Sequence, residues 1–331
     1  MDIAIFPAHE LDLVLGALRD VACSNDHFSE AEAQMIEGLA RLHGHEVRAD
    51  ELRFATLDEL ARAVVDPHRR KRAVQLAIIV SLIEGQPDER ASEAVTRLAR
   101  ALDVDDEGLR VLDRVANGHA MLARIDMVRR VQRFAQHGGG PNFLKVAIPT
   151  LLGLGQNAEL AARYQALAEL PLGTLGRGLY QHYRDNDFAL PGEKGGLPEL
   201  LLFHDVGHVV SGYGVDPQGE IQQAAFQAGF ARTDGFVFLL FGILQFHLGL
   251  RVTPIAKGQQ GLFDVPKVLR ALERGASCQM DFSDHFDFFR YAAEPLDVLR
   301  ARWNVPSLVP DGHSAADEKS VSSRVITSRA E

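Results

Sequence analysis

His204-Asp205-Val206-Gly207-His208, followed twelve residues later by Glu220, is the stretch of this chain best equipped for chemistry. Imidazole nitrogens and carboxylate oxygens are donors that zinc, iron(II) and manganese accept. Two histidines with one carboxylate also leave positions open on the ion. On a helix turning about 100° per residue, with His204 at zero, Asp205 falls near 100° and His208 near 40°. The three side chains then share one arc. The segment Gly212-Tyr213-Gly214-Val215-Asp216-Pro217-Gln218-Gly219 breaks any helical period, so it reads as a turn that swings Glu220 back over that arc. The bland reading of the histidine pair is a satisfied core histidine with an aspartate bonded to nearby backbone. Four polar groups beside Leu200-Leu201-Leu202-Phe203 would be costly to bury without a shared partner, and a divalent metal is that partner. His204, Asp205, His208 and Glu220 are therefore the candidate ligands, and Asp205 and Glu220 the candidate catalytic groups.

The pattern His-Asp-x-x-His-x11-Glu resembles the signature of the ubiquinone (coenzyme Q) biosynthesis protein four family. Leu172-Gly173-Thr174-Leu175-Gly176-Arg177-Gly178-Leu179-Tyr180, running on to Phe188, is similar to that family's Gly-Ser/Thr-Leu-Gly stretch and the aromatic helix after it. Gly219-Glu220-Ile221, Leu272-Glu273-Arg274-Gly275 and Glu294-Pro295-Leu296-Asp297-Val298-Leu299-Arg300 are similar to its downstream landmarks. Departures are Val209-Val210-Ser211-Gly212-Tyr213 and Phe286-Asp287-Phe288-Phe289-Arg290-Tyr291, where the family is richer in tryptophan. The likeness spans residues 145–306. It implies a helical domain that binds metal and isoprenoid, and a prenylated hydroxybenzoate substrate whose ring carboxyl is replaced by hydroxyl. It also implies contact with other quinone-biosynthesis proteins and with a membrane surface.

Tyr180 and Arg184, one helical turn apart, are candidates to pair with a substrate carboxylate, or else ordinary helix-surface groups. Phe226, Phe230, Phe238, Phe241 and Phe246 are candidates to line a groove for a prenyl tail, or else core residues. Two rival functions stand beside the enzyme. One is a lipid-binding scaffold with a structural metal. The other is a His-Asp type metal phosphohydrolase, for which His182 and Asp234 would be the extra ligands.

The elements that must position these groups read as all-α. Helical period dominates and no strand alternation is convincing. Residues 1–118 resemble the tellurite-resistance TerB-like helical bundle. Asn25-Asp26-His27-Phe28-Ser29 and Glu84-Gly85-Gln86-Pro87-Asp88 form acidic turns at an offset of 59 residues. Ser29 and Asp88 read as helix caps there; a hard cation held by Asp26, Glu30, Glu84 and Asp88 is the less favoured reading. A linking helix and the Gly-rich run His137-Gly138-Gly139-Gly140-Pro141 occupy 119–144, the metal-binding domain 145–306 and a disordered tail 307–331. Helices are predicted near 158–169, 174–187, 198–211, 220–231, 235–249, 265–274 and 285–302. A chain of 331 residues with net charge −10 argues for two domains and against a nucleic-acid partner. Cys23 and Cys278 are too few for a disulfide framework and suit a reducing cytoplasm; peripheral contact on the inner membrane face is what the family resemblance adds. The apolar run Phe236–Phe246 falls short of the roughly 18–20 residues that span a bilayer. A homodimer is compatible with these features.

Overall fold

Helix follows helix among the described residues, and most of these helices begin at a side chain that caps the first turn. A computed structural model describes residues 1–137, 156–253 and 257–308. The glycines of the Gly-rich run, the first residues of the segment expected to bind metal and the tail from 309 lie outside the described residues. Within them are fifteen α-helices and no strand. The first seven are α1 Ala8–Ala22, α2 Glu30–Leu42, α3 Leu57–Ala63, α4 Pro67–Leu82, α5 Glu89–Ala101, α6 Glu107–Ala116 and α7 Ala120–His137. After the undescribed stretch come α8 Ala158–Gln165, α9 Leu175–Asp185, α10 Leu202–Ser211, α11 Pro217–Phe230, α12 Phe236–Phe246, α13 Val265–Ser277, α14 Phe288–Tyr291 and α15 Leu296–Arg302.

The caps explain the starts. Ser29 accepts from the Glu32 N–H while the Glu32 carboxylate accepts from Ser29, a reciprocal box that opens α2. Asp88 accepts from the Ala91 N–H to open α5. The acidic turns thus act as caps, and Asp26 pairs with Arg90 instead of gathering with Glu30, Glu84 and Asp88. The predicted helix over 198–211 opens with a 3-10 turn, Glu199–Leu201, before α10. The helix predicted over 285–302 is two short ones, because Pro295 disfavours helical backbone at the residue before it. No helix among the described residues is long and apolar enough to cross a membrane.

Among the described residues one apolar core extends from Met1 and Ile3 to Trp303 and Val305. Helix α13 packs against both α11 and α2, and α12 packs against α11, α7 and α4. Burial on nearly every side explains why α12 carries no polar face. Polar ties reinforce the same junction. The His247 Nε2–H donates to the carbonyls of Leu82 and Ile83 at 3.1 and 2.8 Å, while its Nδ1 accepts from the Phe263 N–H. Arg130 on α7 grips Asp234 through two hydrogen bonds of 3.0 and 2.8 Å. The segments before and after the Gly-rich run, expected as separate units, therefore share their interior.

Candidate metal centre

Helix α10 is held in place by its own end and by its neighbours. Gly212 stands at φ +81, a left-handed backbone that ends the helix and that a Cβ would strain. Arg300 donates to the carbonyls of Val210 and Val209 at 2.8 and 2.9 Å, and Arg274 to that of Ser211 at 3.0 Å. These are carbonyls of the last turn, and the two guanidinium charges also suit the negative helix end. Gly207, midway between the histidines, lets α11 come close: a Cβ there would lie 2.1 Å from the Gln223 amide nitrogen.

The turn then delivers Glu220. Asp216 accepts from the backbone N–H groups of Gln218 and Gly219, Pro217 opens α11, and Glu220 follows in its first turn. From Glu220 the polar residues Gln223 and Gln227 recur at three and seven positions, which places all three on the α11 face toward α10. Gln223 accepts from the Ser211 hydroxyl at 2.8 Å, and the Gln227 Oε1 accepts from the His204 Nδ1–H at 3.2 Å.

His204, His208 and Glu220 form a group that could hold a metal ion, with one ligand atom from each lying within 4.8 Å of the others. The two Nε2 atoms are 3.2 Å apart, and Glu220 oxygens lie 3.4 Å from His204 Nε2 and 3.6 Å from His208 Nε2. Zinc with nitrogen ligands at about 2.0–2.1 Å in tetrahedral geometry sets neighbouring donor atoms about 3.3 Å apart. The tautomers fit as well. His208 donates its Nδ1–H to the Tyr213 carbonyl at 3.0 Å, as His204 does to Gln227, so both Nε2 lone pairs face the shared space. Two such lone pairs at 3.2 Å repel unless a cation or proton lies between them. Without a metal, the proton does so. Burial alone would lower the His204 pKa, but Glu220 outweighs it through a hydrogen bond and its charge and pushes the value up to about 9. Burial would raise Glu220, yet hydrogen bonds and charge from His204 and His208 bring it down to about 2. The site is not sealed: the His208 side chain is 1% exposed, but Glu220 keeps 18% and His204 32%.

Asp205 does not join this group. Its buried carboxylate accepts a hydrogen bond from the Tyr183 hydroxyl on α9, because one residue along the helix is enough of a turn to point it at a different neighbour. Burial and that carboxylate together push the Tyr183 hydroxyl well above the usual phenol range. Tyr180 and Arg184 do not reach the site as drawn from sequence either. His182 is the α9 residue that stacks on His208, with ring centroids 5.4 Å apart at 21°. Tyr180 and Arg184 lie about half a helical turn away from it. Arg184 covers the Tyr180 ring and pairs with Glu193 at 3.1 Å.

The phenylalanine groove is not found as such. Phe226, Phe230 and Phe246 are buried in the core, where Phe226 packs on Tyr213 and Phe230, and Phe230 on Phe282. Phe238 and Phe241 are half-buried, with Phe238 against Phe203 and Phe134. Asp234 is held by Arg130 and takes no part, which removes one of the two extra ligands that a His-Asp phosphohydrolase would need. His182 does lie beside the cluster. Its pKa is lowered by burial, with the Asp205 charge partly opposing.

Gln223, Gln227, Tyr183 and the Tyr213 carbonyl went unnoticed in the sequence. The two glutamines carried a signal, being polar at helical spacing from Glu220 in a helix whose other residues after Gln222 are apolar. Tyr183 and the carbonyl carried none. No protein-family model matches this chain, and no curated protein or solved structure matches it.

Proposed function

We propose that this protein is a divalent-metal enzyme of ubiquinone biosynthesis, acting on a prenylated hydroxybenzoate-type precursor and removing its ring carboxyl. One observation carries the metal half: three donors converge, where a structural site takes four. A lipid-binding scaffold with a closed structural metal is disfavoured on the same ground. The substrate half is supported by the resemblance of the His204-to-Glu220 spacing and its flanking stretches to the ubiquinone family. Zinc, iron(II) and manganese all accept this donor set, and replacing the lost carboxyl by hydroxyl would require a redox-active ion or another oxidant.

A divalent ion at the cluster would supply electrophilic stabilisation of negative charge on a substrate oxygen. The residues do the rest. Gln227 and the Tyr213 carbonyl keep both imidazoles turned inward, and Glu220 brings the countercharge. Asp205, bonded to Tyr183, ties α9 to α10 beneath the histidines. Phe238 and Phe241 are the part of the apolar run left to touch a prenyl tail, next to Phe203.

The test is metal analysis of the purified protein beside Glu220→Ala and Asp205→Ala, with loss of labelled ring carboxyl from a prenylated hydroxybenzoate as the activity readout. Glu220→Ala is expected to lose most of its metal and Asp205→Ala to keep it. Full metal in Glu220→Ala would overturn the site. A metal-loaded protein that releases no label would overturn the substrate and leave the metal.

A further inference from the structure

His182 sits beside the cluster, and the reading above gives it no task. Three observations mark it. Its ring lies nearly parallel to that of His208, 5.4 Å away. Its Nε2 is buried and has no hydrogen-bond partner. It nonetheless falls outside the group of donor atoms gathered within 4.8 Å, so it is not placed to share their ion.

An unpartnered buried nitrogen is unfavourable, and in a folded protein it calls for an explanation such as a ligand it serves. The His182 ring also borders the surface: Phe188 packs edge-on against it with ring centroids 6.0 Å apart and is itself 41% exposed. The cluster next to it is open to solvent through His204 and Glu220.

Two kinds of attachment then stand side by side, a place for a cation and an unpartnered imidazole nitrogen, which donates when it carries the neutral ring's proton. An ammonium group suits neither, since it carries only donors and the cation repels it. A carboxylate suits both, because each of its oxygens accepts. Charge permits it: Glu220 and Asp205 bring two negative charges, which a divalent ion cancels before the anion arrives.

We propose that His182 is a ligand-anchoring residue, whose Nε2–H takes one oxygen of a small carboxylate while the other oxygen faces His204, His208 and Glu220. This rests on the metal reading above. It adds a specificity-determining group from α9, an element outside the His204-to-Glu220 spacing.

The experiment uses the full chain loaded with cobalt(II), whose visible spectrum reports what binds. Acetate is titrated against wild type, His182→Phe and His182→Gln, with thiocyanate, which binds through one atom, as the comparison. All three proteins are expected to take up cobalt alike. Acetate affinity falls about tenfold in His182→Phe, the scale of one hydrogen bond to a charged acceptor, and recovers in His182→Gln, which keeps a donor. Thiocyanate affinity stays the same in all three. Equal acetate affinity in wild type and His182→Phe would reduce His182 to packing. Loss of cobalt from His182→Phe alone would make it a ligand and overturn the anchor. Failure of wild type to take up cobalt would instead sink the metal reading, and this proposal with it. If His182→Phe does not fold, His182→Leu is read in the same way.

Discussion

Gln227 decides which nitrogen of His204 faces the cluster, so it should matter to the ion without touching it. Its Oε1 holds the Nδ1–H and leaves Nε2 free. Partners of this kind are worth about 10–100-fold in metal affinity. Gln227→Leu, similar in size and fully apolar, is expected to weaken binding by that factor in a competition titration against a chromophoric chelator; an unchanged affinity would show that packing alone orients the ring. The proton competes for the same space. With His204 at about 9 when metal is absent, an ion must displace that proton, so affinity should rise about tenfold per pH unit as pH approaches about 9 from below. The metal-free fold runs the other way. The His204 contribution to stability is complete below the unfolded value of 6.5 and is lost as pH rises through about 9. That of Glu220 is complete above 4.5 and is lost as pH falls through about 2. Chelator-treated protein should therefore melt highest between about 4.5 and 6.5, and a melting temperature that climbs from pH 7 to 9 would contradict the pairing.

Helix α10 is the element on which the site depends, and its last turn is held from outside. Arg300 lies in one of the stretches that look like a family landmark, and the structure gives it a physical task at the carbonyls of Val209 and Val210. Arg300→Leu leaves both carbonyls unpaired at the helix end. The expected loss is about 2 kcal/mol in urea unfolding, and Arg300→Lys should restore little because it cannot reproduce the two-pronged donor. A loss below about 0.5 kcal/mol would mean that solvent replaces both bonds. What could be read in advance at this scale follows from geometry along one chain. His204, His208 and Glu220 were legible because helical spacing and a proline-opened turn determine where they point. Asp205 was not, since its direction is settled by Tyr183, which belongs to another helix. The phenylalanines failed for a related reason: an apolar run on α12 shows that side chains avoid water, but not whether they face the core or a ligand.

At the scale of the whole molecule the Gly-rich run suggested a boundary that the interior does not respect. Local composition can only suggest a boundary, whereas shared burial depends on contacts such as His247 with Leu82, which are 165 residues apart. Those contacts are substantial. Leu240, Leu244, Val265 and Leu272 are buried in the same core as Ile36, Leu39, Ile78 and Val80, and Arg130 with Asp234 adds a charged tie. Removing residues 1–137 would lay bare that apolar surface on α12 and α13, far more than a stable fragment can expose. Two consequences can be measured. The full chain should unfold in a single calorimetric transition whose van't Hoff and calorimetric enthalpies agree. The fragment beginning at residue 138 should lack sharp side-chain signals by NMR and hold no stoichiometric metal, even though all three candidate ligands remain in it. Two separated transitions, or a fragment that folds and binds metal normally, would show that the helices before the Gly-rich run are a detachable module. In that case α10 and α11 would position His204, His208 and Glu220 without support from the first half of the chain.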